Sequence, residues 1–312
     1  MTAAKTAIIT GASSGLGLEC ARALIARDAL WHVVLGVRDA GKGREAVRSL
    51  EAPSRCRVMA LDLASLESVR RFVAGYREQA LPPTQAVFCN AGIQIPSGTR
   101  LTTDGVELTF GTNHLGHFAL VQGLLDQLVV PARIVVVSSD THDPRKRTGM
   151  PAPRYASAQA LAHPDPAEVT DGRARYTTSK LCNVLFAYEL DRQLGHGRSG
   201  VTVNAFNPGL MPGSGLAREY GALQRFGWRF VMPIMRVLPS VRSAHQSGGH
   251  LAALAADPAY DGVTGSYFDG LRTIESSADS YDRAKARDLW QTSERLVAAA
   301  HADDRRESIE SP

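Results

Sequence analysis

The sequence predicts an α/β fold: one doubly wound parallel sheet with helices on both faces. Three observations carry this expectation. Short apolar runs alternate with longer amphipathic ones along the 312 residues, the pattern of strands covered by helices. The run Arg133-Ile134-Val135-Val136-Val137 lacks polar alternation, as expected of a central strand buried on both faces. A glycine-rich stretch, Thr10 to Gly17, separates the first apolar run from the first amphipathic one. That is where such a sheet turns from strand to helix.

Strands are expected at residues 5–10, 32–37, 56–61, 85–90, 132–138, 201–206 and 264–268. Helical patterns lie between them, over Gly15 to Arg27, Leu66 to Gln79 and around Asn113 to Leu128. Two segments break the rhythm. Residues 140–175 are rich in Pro, Asp, Arg and Ala with little periodicity, and read as an insertion or long loop. Residues 210–242 interleave Phe226, Trp228, Phe230, Met232 and Met235 with Arg218, Arg225, Arg229 and Arg236. That mixture predicts amphipathic helices over a site, a substrate lid. Residues 1–300 are expected to form a single domain, and the polar residues 301–312 a flexible tail.

Bulk properties narrow the class. A hydrophobic fraction of 44% and a charged fraction of 21% are those of a soluble globule. The net charge of +4 comes from scattered basic residues, which gives no reason to invoke nucleic acid. Cys20, Cys56, Cys89 and Cys182 are far apart without metal-ligand spacing, and buried thiols of a reducing compartment are expected. Without a signal-peptide core or a long apolar span, a cytoplasmic enzyme is the default.

The stretch Thr10-Gly11-Ala12-Ser13-Ser14-Gly15-Leu16-Gly17 has the chemistry of a phosphate cradle. Glycines let the backbone turn tightly against a pyrophosphate, and a helix N-terminus offers free N–H groups and a positive dipole. The order of strand, glycines and helix marks a Rossmann-type nucleotide loop. An acid at the end of the second strand would bind ribose hydroxyls and repel a 2′-phosphate. This chain has Val37 there and Arg38 next, a guanidinium suited to a phosphate dianion, with Ser14 as a second donor. NADP(H) is therefore the expected cofactor.

Further along, Tyr176-Thr177-Thr178-Ser179-Lys180 places a phenol four residues before an ammonium, on one face if this segment is helical. A phenol ordinarily ionises near pH 10, and a fixed cation lowers that value until it can serve as a general acid or base. His114, His117 and His142 lack convincing metal-ligand partners and are expected to make polar contacts only.

With its wide glycine spacing, the loop resembles the TGxxxGxG of the short-chain dehydrogenase/reductase family, and the resemblance runs almost to the C-terminus. It implies that Asp62, with Leu63, contacts adenine and that Asn90-Ala91-Gly92 supports the sheet and the adenosine. By the same resemblance, the Pro208-Gly209-Leu210 turn holds the nicotinamide carboxamide. Tyr176 is then the proton donor and acceptor, and Lys180 holds the ribose and lowers the tyrosine's pKa. Ser139 hydrogen-bonds the substrate carbonyl, and Asn113 anchors a water relay to Lys180.

The separation of Ser139 and Tyr176 exceeds the family's usual gap, which resembles the retinol-dehydrogenase-like and protochlorophyllide-oxidoreductase-like branches. The second is also matched by Trp31-His32-Val33-Val34, by Leu61-Asp62-Leu63-Ala64-Ser65-Leu66 and by Asn113-His114-Leu115-Gly116-His117-Phe118. Gly215-Leu216-Ala217-Arg218-Glu219 and Lys285-Ala286-Arg287-Asp288-Leu289-Trp290 match it too. The light-dependent enzymes of that branch, however, carry cysteine where this chain has Leu210 and tend to carry threonine at Ser139. They also tend to carry an aromatic residue near Gln94 and a threonine past Pro208-Gly209 that Ser214 only partly replaces. The expectation is hence dark interconversion of a bulky apolar carbonyl and its alcohol. The rivals are a light-dependent protochlorophyllide reductase and an NADPH-sensing binding protein without turnover. For the lid's apolar and basic mixture, a membrane surface or a homo-oligomer contact are the alternative uses.

Overall fold

A computed structural model describes residues 3–165, 171–211 and 241–310, with side chains to residue 302. Its sheet contains β1 (Lys5–Thr10), β2 (Trp31–Val37), β3 (Cys56–Ala60), β4 (Thr84–Cys89), β5 (Leu128–Val137), β6 (Val201–Asn207), β7 (Tyr267–Asp269) and β8 (Arg272–Ile274). The spatial order is β3-β2-β1-β4-β5-β6-β7-β8. All neighbours pair in parallel except β7 and β8. Chain order reverses between β1 and β4, so the carboxyl ends of these two strands flank the crevice where ligands of doubly wound sheets bind.

Helices cover both faces. They are α1 (Gly15–Arg27), α2 (Ala40–Arg48), α3 (Leu66–Arg77), α4 (Leu108–Phe110), α5 (Gly116–Leu124), α6 (Ala158–Ala162), α7 (Gly172–Gln193), α8 (Ala244–Ala256) and α9 (Arg283–Glu310). Successive strand residues point to opposite faces. Ile8, Val34, Val87, Ile134 and Val203 therefore meet Phe118 and Phe186 on one side. Ala7, Ile9, Leu35, Phe88 and Val135 meet Leu24 and Leu251 on the other. This is why the strands read as unbroken apolar runs. Local signals start the helices: Asp39 and Ser65 accept the N–H groups of Lys42 and Ser68 and cap α2 and α3. Small residues set the spacing between layers. A Cβ on Gly248 of α8 would lie 2.5 Å from the Glu19 Cβ of α1.

Several boundaries differ from expectation. β7 begins at Tyr267 rather than at 264, because Gly265 (φ 62°) turns the chain there, with its N–H on Val203 O. β5 starts at Leu128 rather than at 132 and stops at Val137, short of Ser138. The pattern around Asn113 to Leu128 is a composite, α4 followed by a π-helical segment, Gly111–Leu115, and then α5. Strand β8 is too short to show as a run. The backbone of residues 301–310 continues α9. The expected lid, residues 210–242, lies outside the described residues except at its ends, where Leu210 bridges Val241.

The expected insertion, 140–175, overlaps α7, which already starts at Gly172. Its described part is anchored: Arg154 N–H donates to Thr178 Oγ1 (2.8 Å), and Tyr155 OH donates to Asp288 (2.8 Å). Gly172 packs its Cα against the backbone of Ile95 and Pro96, and a Cβ there would lie 1.9 Å from Ile95 O. Gly172→Ala must push the start of α7 off that loop. It should cost roughly 1–3 kcal/mol, as overpacking typically does, read as a lowered urea midpoint with an unchanged slope.

Candidate active site

The turn from β1 into α1 is shaped by glycines with distinct tasks. Gly11 has φ 67° and Gly15 φ 58°, both in the left-handed region that favours glycine. Gly11 and Gly17 are packed tight, since a Cβ on either would come within about 3 Å of Ala91 or Gly11 O. At Gly15 the opposite holds, with no atom within 4 Å of a would-be Cβ. Ser14 and Gly15 are exposed, Ser13 is half-buried, and Leu16 anchors the helix in the core. Helix α1 starts without a side-chain cap, so its first-turn N–H groups lack intrahelical acceptors. Arg38 stands exposed just past β2. Asp62 spends a carboxylate oxygen on the Ala64 N–H (3.0 Å), fixing the turn that carries Leu63.

Thr10 ties this loop to its neighbours. Its hydroxyl accepts the N–H groups of Asn90 and Ala91, both at 2.9 Å, while Asn90 Nδ2 donates to Thr10 O at 2.7 Å. His117 Nε2 lies 2.8 Å from the same hydroxyl, and His117 Nδ1 lies 3.0 Å from Asn113 O. A carbonyl can only accept, so Nδ1 carries the ring proton and Nε2 accepts from Thr10. Burial, helped by the nearby Lys180 charge, holds His117 down to about 4, in keeping with this neutral tautomer.

Asn113 sits inside the π-helical segment, a form that often marks functional sites. Its Oδ1 accepts Ile93 N–H (2.8 Å), and its Nδ2 donates to Ile93 O and Ser179 Oγ, both at 2.9 Å. Gly92 leaves room for what lies behind it: a Cβ there would be 3.3 Å from Asn113 Oδ1 and 3.4 Å from Lys180 Nζ. Lys180 is 3% exposed, and burial pushes its pKa down to about 8. Its ammonium donates to Val137 O (3.3 Å) and stands 5.5 Å from the centre of the Tyr176 ring. Both residues lie on α7, one turn apart, as their spacing predicts. Ser138 Oγ donates to Lys180 O (2.7 Å) and fastens α7 to the end of β5. Ser139 follows, its Oγ accepting Thr141 N–H at 3.3 Å and lying 3.2 Å from Asp140 Oδ1.

The third group of residues, at the end of β6, is held by Ser247 Oγ donating to Pro208 O (2.7 Å) and by Gly209 at φ 79°. Leu210 O accepts Arg242 N–H at 2.9 Å. The predicted residues thus gather at the carboxyl ends of β1, β2, β3, β4, β5 and β6. Sequence reasoning missed Asn183, whose Nδ2 donates to Val137 O (2.9 Å) beside Lys180. It also missed Arg175, which pairs with buried Glu107 (3.3 Å) and donates to Gly98 O, next to Tyr176. Helical spacing from Lys180 could have pointed to Asn183; nothing local links Glu107 to Arg175. His114 and His142 make the polar contacts expected, with Ser293 Oγ (2.9 Å) and with Ser277 N–H (3.1 Å).

These buried histidines make acid sensitivity a consequence of the site. His114 is held down to about 3, chiefly by burial, and His117 to about 4. Between these values and the ordinary 6.5 the unfolded chain binds protons that the folded chain does not, so stability falls as pH drops through this window. Urea midpoints measured from pH 7 to 4 should decline accordingly. His114→Gln should flatten the slope by one proton's worth, about 1.4 kcal/mol per pH unit.

The geometry has clear relatives. The profile of the short chain dehydrogenase family matches residues 5–160. Protochlorophyllide reductase B of Oryza sativa subsp. japonica is 36% identical over 324 residues, covering 96% of this chain and 78% of that protein. The WW domain-containing oxidoreductase of Gallus gallus is 37% identical over 298 residues, covering 94% of this chain and 68% of that protein. The crystal structure of an uncharacterised protein from Mycobacterium paratuberculosis superposes with a TM-score of 0.70 at 30% identity, covering 95% and 94% of the two chains. The chain belongs to the short-chain dehydrogenase family, as an oxidoreductase similar to the protochlorophyllide reductases.

Proposed function

We propose that this chain is an NADP(H)-dependent oxidoreductase that interconverts a bulky apolar carbonyl compound and its alcohol in the dark. The observation that carries this reading is the buried Lys180 ammonium, one helical turn from the Tyr176 ring and backed by Asn113 behind Gly92. A fixed cation in low dielectric favours the phenolate and brings the phenol into the range of acid–base work.

A dinucleotide fits the residues present. The open space in front of Gly15, at the uncapped start of α1, suits a pyrophosphate. Gly11, Ser13, Ser14, Leu16 and Gly17 would line that cradle, and Arg38 would take the 2′-phosphate. Asp62, Leu63, Asn90, Ala91 and Gly92 would flank the adenosine, and Pro208, Gly209 and Leu210 the carboxamide. A nicotinamide held there would supply or accept the hydride at the substrate carbon.

Around it, Tyr176 OH gives its proton to the developing alkoxide or takes it back from the alcohol. Lys180 would hold the ribose hydroxyls and keep that phenol acidic. Ser139 donates a hydrogen bond to the oxygen as it gains charge. Asn113, tied at both ends of its amide, fixes Gly92 and Ile93 beside the ammonium and anchors the water relay that serves Lys180. Residues 1–300 act as one domain, and the setting is cytoplasmic. Among the described residues no helix is long and apolar enough to cross a membrane.

The test is NADPH consumption with a panel of bulky ketones and aldehydes in the dark. Tyr176→Phe should lower kcat by roughly 10²–10⁴-fold, the usual worth of a general acid. NADPH binding with no consumption on any substrate, unaltered by Tyr176→Phe, would instead fit the nucleotide-sensing reading. Arg38→Ala should weaken NADPH binding far more than NADH binding, and equal losses would overturn the cofactor assignment. The names of the plant relatives favour a second reading, reduction of protochlorophyllide, which the resemblance stated above would make light-dependent. Absorption spectra with NADPH and that pigment, before and after a flash, decide between them. Conversion only after the flash would replace the dark reading.

A further inference from the structure

Ser139 has one hydroxyl proton, and the Asp140 carboxyl and the substrate oxygen compete for it. Its Oγ accepts Thr141 N–H at 3.3 Å, and Asp140 Oδ1 stands 3.2 Å away. An ionised carboxylate can only accept, so beside it the serine turns its proton toward Asp140 and shows a lone pair to the substrate. A protonated Asp140 donates to Oγ instead, and the serine proton is free for the substrate oxygen. Only the second arrangement stabilises negative charge on that oxygen.

We propose that Asp140 is a positioning residue that sets the direction of the Ser139 hydroxyl, and thereby whether Ser139 can donate to the substrate oxygen. This rests on the carbonyl chemistry assigned above. The carboxyl lies at the mouth of the sheet among named charges. Asp269 at the end of β7 faces it, itself paired with Arg242 (2.8 Å) and approached by Arg272 (3.8 Å). On its own loop are Lys146, neutral His142, and Asp143 paired with Arg145 (2.9 Å). The ring of Tyr267 of β7 lies tilted against His142, centres 4.8 Å apart, and α7, packed against this turn, carries Tyr176, Lys180 and Tyr188. Burial first, and the Asp269 charge after it, hold the Asp140 carboxyl above the usual carboxylate range, while Ser139 and Lys146 pull the other way. The acid form therefore persists to higher pH than an ordinary aspartate would allow, and the serine stays competent with it.

The experiment is the pH dependence of kcat for reduction of phenanthrenequinone, a bulky apolar dione, with NADPH in the dark. In the wild-type chain kcat should fall with rising pH along a one-proton limb separate from that of the Tyr176 proton, by up to roughly 10²-fold, the worth of one oxyanion donor. Asp140→Asn, whose amide N–H donates at every pH, and Asp140→Ala, which claims no proton, should both lose the limb and hold the low-pH rate. Asp269→Asn should move the limb to lower pH, a direction that a purely structural role does not generate. A wild-type profile with no limb beyond that of the Tyr176 proton, or a second limb that survives in Asp140→Asn and Asp140→Ala, overturns the proposal. Ser139→Ala separates the two levels: wild-type activity in that variant sinks the carbonyl reading itself, whereas a strong loss leaves that reading standing and the proposal to the Asp140 variants. The ¹³C resonance of the Asp140 carboxyl gives a readout without turnover. A midpoint above the usual aspartate range, lowered by Asp269→Asn, supports the proposal, and an ordinary midpoint overturns it.

Discussion

The site is organised around one oxygen, Thr10 Oγ1. It collects two backbone N–H groups from the turn after β4 and stands against the ring of His117, which in turn holds the carbonyl of Asn113. Through these bonds the nucleotide loop, the Asn90-Ala91-Gly92 turn and the π-helical segment are positioned as one body. All of these groups are buried or nearly so, and in low dielectric an unmade bond is costly. The network thus has one satisfied arrangement, and that arrangement puts Asn113 behind Gly92, where the Lys180 ammonium is waiting.

Function in this architecture works against stability at specific points. A lysine that is 3% exposed loses its hydration for one carbonyl and the face of an aromatic ring, and its depressed pKa is the sign of that cost. The pair Glu107–Arg175, also buried, braces the start of the same helix against α4 and the loop after the Asn90-Ala91-Gly92 turn. A buried ion pair is weak support for stability as such. Its contribution here is positional, because it acts one residue before Tyr176. The apolar layers on both faces of the sheet supply the stability against which these polar devices are set.

Most of the architecture was legible because period and burial coincide. Short runs rich in apolar residues gave β1, β2, β4 and β6 to within a residue at each end, and Gly15 to Arg27 gave α1. The errors fall where tertiary contacts override local pattern. β7 was misplaced at Gly265, where a turn is made through Val203 and Asp191. The first turn of α7 read as loop because its residues, Gly172 to Arg175, are polar or small. They are helical because Gly172 can lie on the Ile95–Pro96 backbone and Arg175 can reach Glu107.

What the sequence by itself determined is the set of parts: the order of strands and helices, the glycine loop, and the Tyr176–Lys180 pair on one helical face. Each depends on interactions within a few residues, such as pleat alternation, helical spacing and the freedom of glycine, and these are written in local order. What only the tertiary structure decided is how the parts meet. The tautomer of His117, the Asn113 clamp on Ile93, the burial of Lys180 and the company Asp140 keeps with Asp269 all join residues distant in the chain. Their strength depends on desolvation, which exists only once the layers close over them.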